Sequence, residues 1–305
     1  MPTVGDARMW AAEELRRVEV ESPILTADLL LAFLLDYDRV RVLTSIKDIL
    51  PDEIWSKFQA LVHRRASGEP LQYLTGTREF YGLDFRVTPE VLIPRPETEL
   101  LAEKAIDLMK AWPPPGPIFV DVGTGSGCIA VTVARHVPAA VGWVLDISPR
   151  ALEIAGANAR RHGVEGRVHM VQADLLSCFL PVPCFDLILC NPPYIALDDC
   201  DSLPSVVRDF EPHQALFGGR SGLEIYERLI PEAAPRLVSG GYILLELGSG
   251  QVSEVSRLVE ISGIQVETVM DDLQGIPRCL VGRKSAGVQN GQNSHHRGRS
   301  TFRPD

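Results

Sequence analysis

Ile118-Phe119-Val120-Asp121-Val122 runs without a spacer into Gly123-Thr124-Gly125-Ser126-Gly127, and a helical stretch follows from about Cys128 to His136. A short apolar run bounded by turn residues reads as a buried strand. Strand, glycine loop and helix together form the opening unit of a nucleotide-type α/β domain. The glycines permit positive φ and close approach of backbone to a ligand. The helix start presents N–H groups that have no partner within the helix. The glycine spacing discriminates between ligands. A dinucleotide fingerprint reads G-x-G-x-x-G, whereas here the glycines are 123, 125 and 127 and position 128 is Cys. That weakens a pyrophosphate site and with it a dehydrogenase.

The next strand, Val141 to Leu145, ends in Asp146, whose carboxylate is placed to accept hydrogen bonds from ribose hydroxyls. The following helix is marked by Ser148 at the N-cap, Pro149 in the first turn and Gly163 at C′. A third strand, Arg167 to Ala173, ends in Asp174, an acceptor suited to an adenine amino group. Either acid alone is commonly a solvated strand end. Two at successive strand ends, after a glycine loop, favour an adenosine pocket.

Leu187 to Cys190 reads as a strand buried on both faces, and it stops at Asn191-Pro192-Pro193-Tyr194. The prolines lack N–H groups and fix their own φ. Asn191 precedes proline and is held extended. A rigid turn at the carboxyl end of a parallel strand lies where open α/β sheets bind ligands. The Asn191 side chain offers an acceptor and a donor, and the Pro192 carbonyl a second acceptor. Two fixed acceptors can hold both N–H bonds of a planar NH₂ group, with the Tyr194 ring against its π face. The turn suits an amide or an exocyclic amine.

The chain has 305 residues, enough for an α/β domain and a smaller one, and a net charge of −10, which argues against generic nucleic-acid binding. The six cysteines show no metal-ligand spacing and read as reduced thiols. No apolar run approaches the ~20 residues of a membrane span. An acidic start to the chain argues against a signal peptide, so a cytoplasmic location is expected.

Residues 1–75 show helical periodicity, as at Leu29, Leu30, Phe33 and Leu34 and at Ile54, Phe58, Leu61 and Val62. Thr26 with Asp28 is read as one helix start, and Pro51-Asp52-Glu53 as another. Residues 76–95 form a β-hairpin linker, 96–284 the larger domain, and 285–305 a disordered polar tail. Arg95 and Glu97 flank a rigid bend at a helix start near Pro96. A long polar stretch, 196–222, is read as a loop covering the site. Pro231 and Pro235 should break the helix over 222–238 into short pieces. Gly240-Gly241 should precede a strand over 242–247, and two closing strands near 266–269 and 279–281 should form a terminal hairpin. His63 and the pair His295-His296 are not taken as metal ligands, and no metal is expected.

Asp121 to Gly127, Asp146 and Asn191 to Tyr194 together resemble the class I S-adenosylmethionine-dependent methyltransferases that act on amino groups. Gln72 to Gly76, Arg78 to Phe80, Ile93 to Glu99 and Arg208 to Pro212 narrow the resemblance to the peptide chain release factor glutamine-N5 methyltransferases, the HemK family. It runs from about Leu71 to Gly282, and the polar tail departs from it. The resemblance implies a Rossmann-like, mostly parallel seven-stranded α/β sheet with a reversed last strand, beside a small N-terminal helical domain. It implies that Gly123, Thr124, Gly125, Ser126 and Gly127 cradle the methionine part of S-adenosyl-L-methionine. Asp146 then holds the ribose, with Asp174 and Leu175 beside the adenine. Asn191 to Tyr194 hold the substrate glutamine near the cofactor, with Arg95 and Glu97 counted among the substrate-binding residues. The implied partner is a class I release factor presenting Gly-Gly-Gln. A monomer without direct nucleic-acid contact is expected.

An adenine-N6 methyltransferase on DNA or RNA would use the same turn for the same reason. A non-catalytic cofactor-binding scaffold would keep the glycine loop without needing Asn191.

Overall fold

The computed structural model describes residues 1–285. The expectation of a disordered tail therefore lies, beyond Ser285, outside the described residues. The chain divides into two compact units, 1–77 with 203–210, and 78–202 with the rest. The return of 203–210 to the first unit is not anticipated by a linear cut near 75.

The first unit contains α1 (Val4–Arg17), α2 (Pro23–Leu35), α3 (Arg39–Thr44), α4 (Asp52–Ala66) and α5 (Leu71–Thr75). Thr3 caps α1 through a reciprocal pair with Asp6. Helical spacing brings Ala7, Ala11 and Leu15 of α1 against Leu30 and Leu31 of α2 and Phe58 and Val62 of α4. The expected helix start at Thr26 is corrected. Pro23 opens α2, because its fixed φ suits the first helical position. Thr26 and Asp28 lie buried inside that helix, where the Asp28 carboxylate receives Arg8 of α1 and Arg39 beside it.

The second unit opens within β1 (Thr77–Phe80), which is joined to β2 (Leu83–Arg86) through Tyr81 and Gly82, both at positive φ. A 3-10 turn over Pro96–Thr98 leads into α6 (Glu99–Lys110). Then come β3 (Ile118–Val122), α7 (Cys128–His136), β4 (Val141–Asp146), α8 (Pro149–Arg161), β5 (Val168–Gln172) and β6 (Phe185–Cys190). Residues 196–222 are not an open loop. They include a 3-10 stretch, Leu197–Ser202, and the short helices α9 (Ser205–Arg208), in the first unit, and α10 (His213–Leu216). The unit closes with α11 (Glu224–Arg236), β7 (Leu237–Glu246), α12 (Val252–Ile261), β8 (Ile264–Asp271) and β9 (Pro277–Lys284).

The seven strands run in the order β5-β4-β3-β6-β7-β9-β8, parallel except for β9, which is antiparallel to both neighbours. Phe119, Leu187 and Leu189 face a core built with α6 and α7. Val120, Val122, Ile188 and Cys190 face a second core built with α11 and α12. A strand covered on both faces has no polar side, which is why all six residues of β6 are buried.

Two further expectations are corrected. α11 is one helix through Pro231 and Pro235. Each proline removes an N–H and costs ~3 kcal/mol in a helix interior. The burial of Tyr226, Leu229, Ile230 and Ala233 on the other face of the helix offsets that cost. Gly240 and Gly241 lie inside β7 rather than before it. The register against β6 shifts between Phe185 and Leu187, and Gly240 takes φ +78 within that bulge.

Candidate active site

The strand order fixes where a site can form. From β3 the chain moves outward to β4 and β5, then returns to place β6 on the other side of β3. Ligands of open α/β sheets bind in the crevice at such a switch point, outside the carboxyl ends of the strands. Val122 aligns with Leu145 and with Cys190, and Cys190 with Leu245. The residues one step beyond that row are Gly123, Asp146, Asn191 and Glu246. Four chemically informative positions thus come to one edge of the sheet. A cavity of about 330 Å³ opens over that edge.

Gly123, Thr124, Gly125 and Ser126 line this cavity. Gly123 and Gly125 take φ +71 and +56, and a Cβ on either would meet nothing within 4 Å, so their faces are open to a ligand. The loop is not an anion cradle. The N–H groups of Gly123 and Thr124 donate to the Leu145 carbonyl, that of Gly125 to Asp146 and that of Gly127 to Thr124. Beneath the loop the buried Asp121 carboxylate accepts from the Thr124 hydroxyl at 2.7 Å. Burial pushes its pKa up to about 7. Gly127 is not on the cavity wall. Its missing side chain instead lets α8 approach, since a Cβ there would lie 3.0 Å from the Ala155 Cβ.

Asp146 lines the cavity, and its carboxylate also braces the loop. One oxygen accepts from the Gly125 N–H and the other from the Ser148 N–H, each at 2.9 Å. Burial raises its pKa, and the backbone donors oppose that shift. Asp174 and Leu175 lie on the same wall. Asp174 is half exposed and paired with Arg228 at 2.6 Å, a partner with no sequence signal. Leu175 takes φ +50.

Asn191, Pro192 and Pro193 also line the cavity. The Asn191 amide nitrogen donates to the buried Thr98 hydroxyl at 3.1 Å, which leaves Oδ1 as a free acceptor. Neither Oδ1 nor the Pro192 carbonyl accepts a hydrogen bond among the described residues. Tyr194 does not line the cavity. Its carbonyl receives Gln251 Nε2 at 3.0 Å, and burial pushes its phenol up to about 12. Arg95 lines the cavity and pairs at 2.5 Å with buried Glu211, which also accepts from the Ile93 N–H. Glu97 lies off the cavity wall. Among the described residues no cluster of three potential metal ligands occurs.

Residues 6–76 match the family described as the PrmC N-terminal domain, and 105–208 match the methyltransferase small domain. The release factor glutamine methyltransferase of Koribacter versatilis (strain Ellin345) is 42% identical over 286 residues, covering 92% of this chain and 99% of that one. That of Rhodopirellula baltica is 40% identical over 280 residues, covering 90% and 94%. The chain belongs to the release factor glutamine methyltransferases. A methyltransferase from Pyrococcus furiosus, 18% identical with a TM-score of 0.50, covers 75% of this chain and 99% of its own length and shares the fold.

Within this family member, several site residues carry no motif of their own. Thr98 is one letter in a proline-rich run, and only the 3-10 turn brings its hydroxyl to Asn191. Asn158 is fully buried in α8, accepts from the Arg86 N–H and donates to the carbonyls of Arg86 and Ser126. It ties the β1–β2 ribbon to the glycine loop. Gln251 staples the turn after Tyr194 to Gly222 and Gly248.

Proposed function

We propose that this protein transfers the methyl group of S-adenosyl-L-methionine to the side-chain amide nitrogen of the glutamine in the Gly-Gly-Gln loop of class I peptide chain release factors. The observation that carries the reading is the pair of unclaimed acceptors, Asn191 Oδ1 and the Pro192 carbonyl, on residues that line one cavity together with the glycine loop. The chain's membership in the release factor glutamine methyltransferases selects an amide over an adenine.

The residues fit the cofactor. Open faces at Gly123 and Gly125 accept the methionine part without an anion cradle, which a zwitterion bearing a sulfonium does not need. Asp146 offers its remaining lone pairs to ribose hydroxyls, and Asp174 with Leu175 borders the adenine. When bound, the cofactor supplies an electrophilic methyl group.

The chain's own residues supply position. An amide nitrogen is a poor nucleophile because its lone pair is delocalised into the carbonyl. Asn191 Oδ1 and the Pro192 carbonyl take its two N–H bonds and fix the direction of the nitrogen. Pro192 and Pro193 make the turn rigid, so little ordering remains to be done. Well-oriented reactants recover ~7–11 kcal/mol of barrier. No strong general base is required, since the proton leaves after the nitrogen has become cationic. Tyr194 buttresses the turn, and Arg95, held by Glu211, faces the incoming loop.

The first unit is the docking element for the protein substrate. The reading includes a cytoplasmic monomer without direct nucleic-acid contact. The acidic charge and the six thiols, none in a disulfide, support it. No helix among the described residues is long and apolar enough to cross a membrane. The test is transfer of labelled methyl to a panel of release factor, DNA and RNA. Label on the release factor alone is expected, and label on nucleic-acid adenine alone overturns the reading.

A further inference from the structure

One stripe of α11 grips the turn that follows β5. Arg228, Glu232 and Arg236 recur at helical spacing and share a face of α11. Arg228 Nη2 donates to Asp174 Oδ2 at 2.6 Å. The Glu232 carboxylate accepts from the Leu176 N–H at 3.0 Å. Arg236 Nη2 donates to the Phe179 carbonyl at 2.6 Å. Successive turns of the helix thus hold successive points of the segment 174–179.

Stability does not account for the whole of this grip. Arg228 and Asp174 are each half exposed, and ion pairs of that kind contribute little. Between the two gripped residues Asp174 and Leu176, Leu175 takes φ +50. Left-handed backbone is unfavourable for a leucine. Such a residue persists where its surroundings over-determine it, and such residues gather at functional sites. Asp174 and Leu175 line the cavity, and so do Ile225 and Arg228 of α11. Arg228 takes one oxygen of Asp174, and Oδ1 accepts no hydrogen bond among the described residues.

We infer that Arg228 and Glu232 are positioning residues for the cofactor: Arg228 turns Asp174 so that its free oxygen meets the adenine amino group, and Glu232 holds Leu175 in the strained backbone that sets its side chain against the ring. The inference rests on the proposed placement of the adenine beside Asp174 and Leu175. It adds two residues of α11 to that end of the site.

The two residues act differently. Asp174 Oδ1 can only accept, so it matches an amino group and gains nothing from a purine that lacks one. A site arranged to pair with a ligand N–H discriminates against the analogue without it. Without Arg228 the carboxylate turns freely into water, and that discrimination is lost. Glu232 bears on no polar group of the ring. Without it the Leu176 N–H loses its partner and Leu175 relaxes, which weakens apolar contact with either purine.

The test uses full-length protein and two ligands titrated by calorimetry. One is S-adenosylhomocysteine, and the other is its counterpart with hydrogen in place of the adenine amino group. Wild type should prefer the amino compound. Arg228→Met keeps an unbranched stem and removes the donors. It should lower the preference roughly tenfold, the equivalent of ~1.4 kcal/mol, by weakening the amino compound alone. Glu232→Ala should weaken both compounds by the same factor of roughly three to ten and leave the preference intact. Glu232→Gln keeps an acceptor for the Leu176 N–H and should restore both affinities. In an Asp174→Ala background, Arg228→Met should change the preference no further. Urea unfolding establishes that each variant is folded. An undiminished preference in folded Arg228→Met overturns the role of Arg228, and undiminished affinities in folded Glu232→Ala overturn that of Glu232. If Asp174→Ala lowers the preference and Arg228→Met does not, the adenine placement stands and the positioning by Arg228 falls. If wild type shows no preference, the placement and the inference fall together.

Discussion

Replacing Asp146 by Ala should weaken cofactor binding and loosen the glycine loop together. The carboxylate accepts from the Gly125 and Ser148 N–H groups at 2.9 Å each. Leaving a partly buried donor without a partner costs ~1–3 kcal/mol. Water can reach part of this site, so the lower end applies to each, and a stability loss of ~2 kcal/mol is expected. The same side chain is assigned to the ribose. A hydrogen bond to a charged group contributes ~1.5–3 kcal/mol, which is roughly ten- to a hundredfold in Kd. Asp146→Asn separates the two effects. One amide oxygen can replace one of the two loop acceptors, while the NH₂ faces the other N–H donor to donor. It should lose less stability than Ala and still bind cofactor poorly. Calorimetric titration with S-adenosyl-L-methionine and urea unfolding measure both quantities. Wild-type cofactor affinity in a folded Asp146→Ala protein would refute the placement of the ribose.

Other outcomes follow from the same geometry. Gly127→Ala should cost ~2–4 kcal/mol, combining a left-handed alanine at φ +79 with overlap on Ala155, and chemical denaturation measures it. Asp121 and Glu246 are each raised by burial to about 7, from 3.8 and 4.5. The folded state therefore holds their protons more tightly than the unfolded chain. Their contribution is most favourable below about pH 4 and is lost as pH rises toward 7. Comparing urea midpoints at pH 5 and pH 8, Glu246→Gln should lose less than wild type, and an equal loss refutes the assignment. Deleting residues 1–75 should spare cofactor binding and reduce methylation of intact release factor. A folded truncation that methylates at the full rate excludes the docking role.

The sheet and the cavity edge were legible because their signals are local. β3 and β6 are apolar apart from Asp121 and Asp186, since both faces are covered, and their ends carry Gly123 and Asn191 in plain view. α11 was misread because a local rule about proline yields to the burial of Tyr226 and Leu229, which no window of sequence displays. Gly240 and Gly241 punctuate a bulge, not a strand start, and only the pairing with β6 distinguishes the two. α12 carries apolar residues at Val252, Val255 and Val259, a helical spacing that could have been read. Thr98 could not, because its role exists only once the 3-10 turn meets the end of β6. Gly127 and Tyr194 belong to motifs whose outer members face the cavity, while these two hold the motif in place.

Asn191 and Pro192 are proposed to present one glutamine amide for methylation. Mass spectrometry of a release factor incubated with S-adenosyl-L-methionine tests it most directly. With wild-type enzyme, one methyl group should appear on the Gln of Gly-Gly-Gln and nowhere else. With Asn191→Ala, which still binds cofactor, it should be nearly absent. Methylation at another residue, or full methylation of that Gln by Asn191→Ala, would contradict the account.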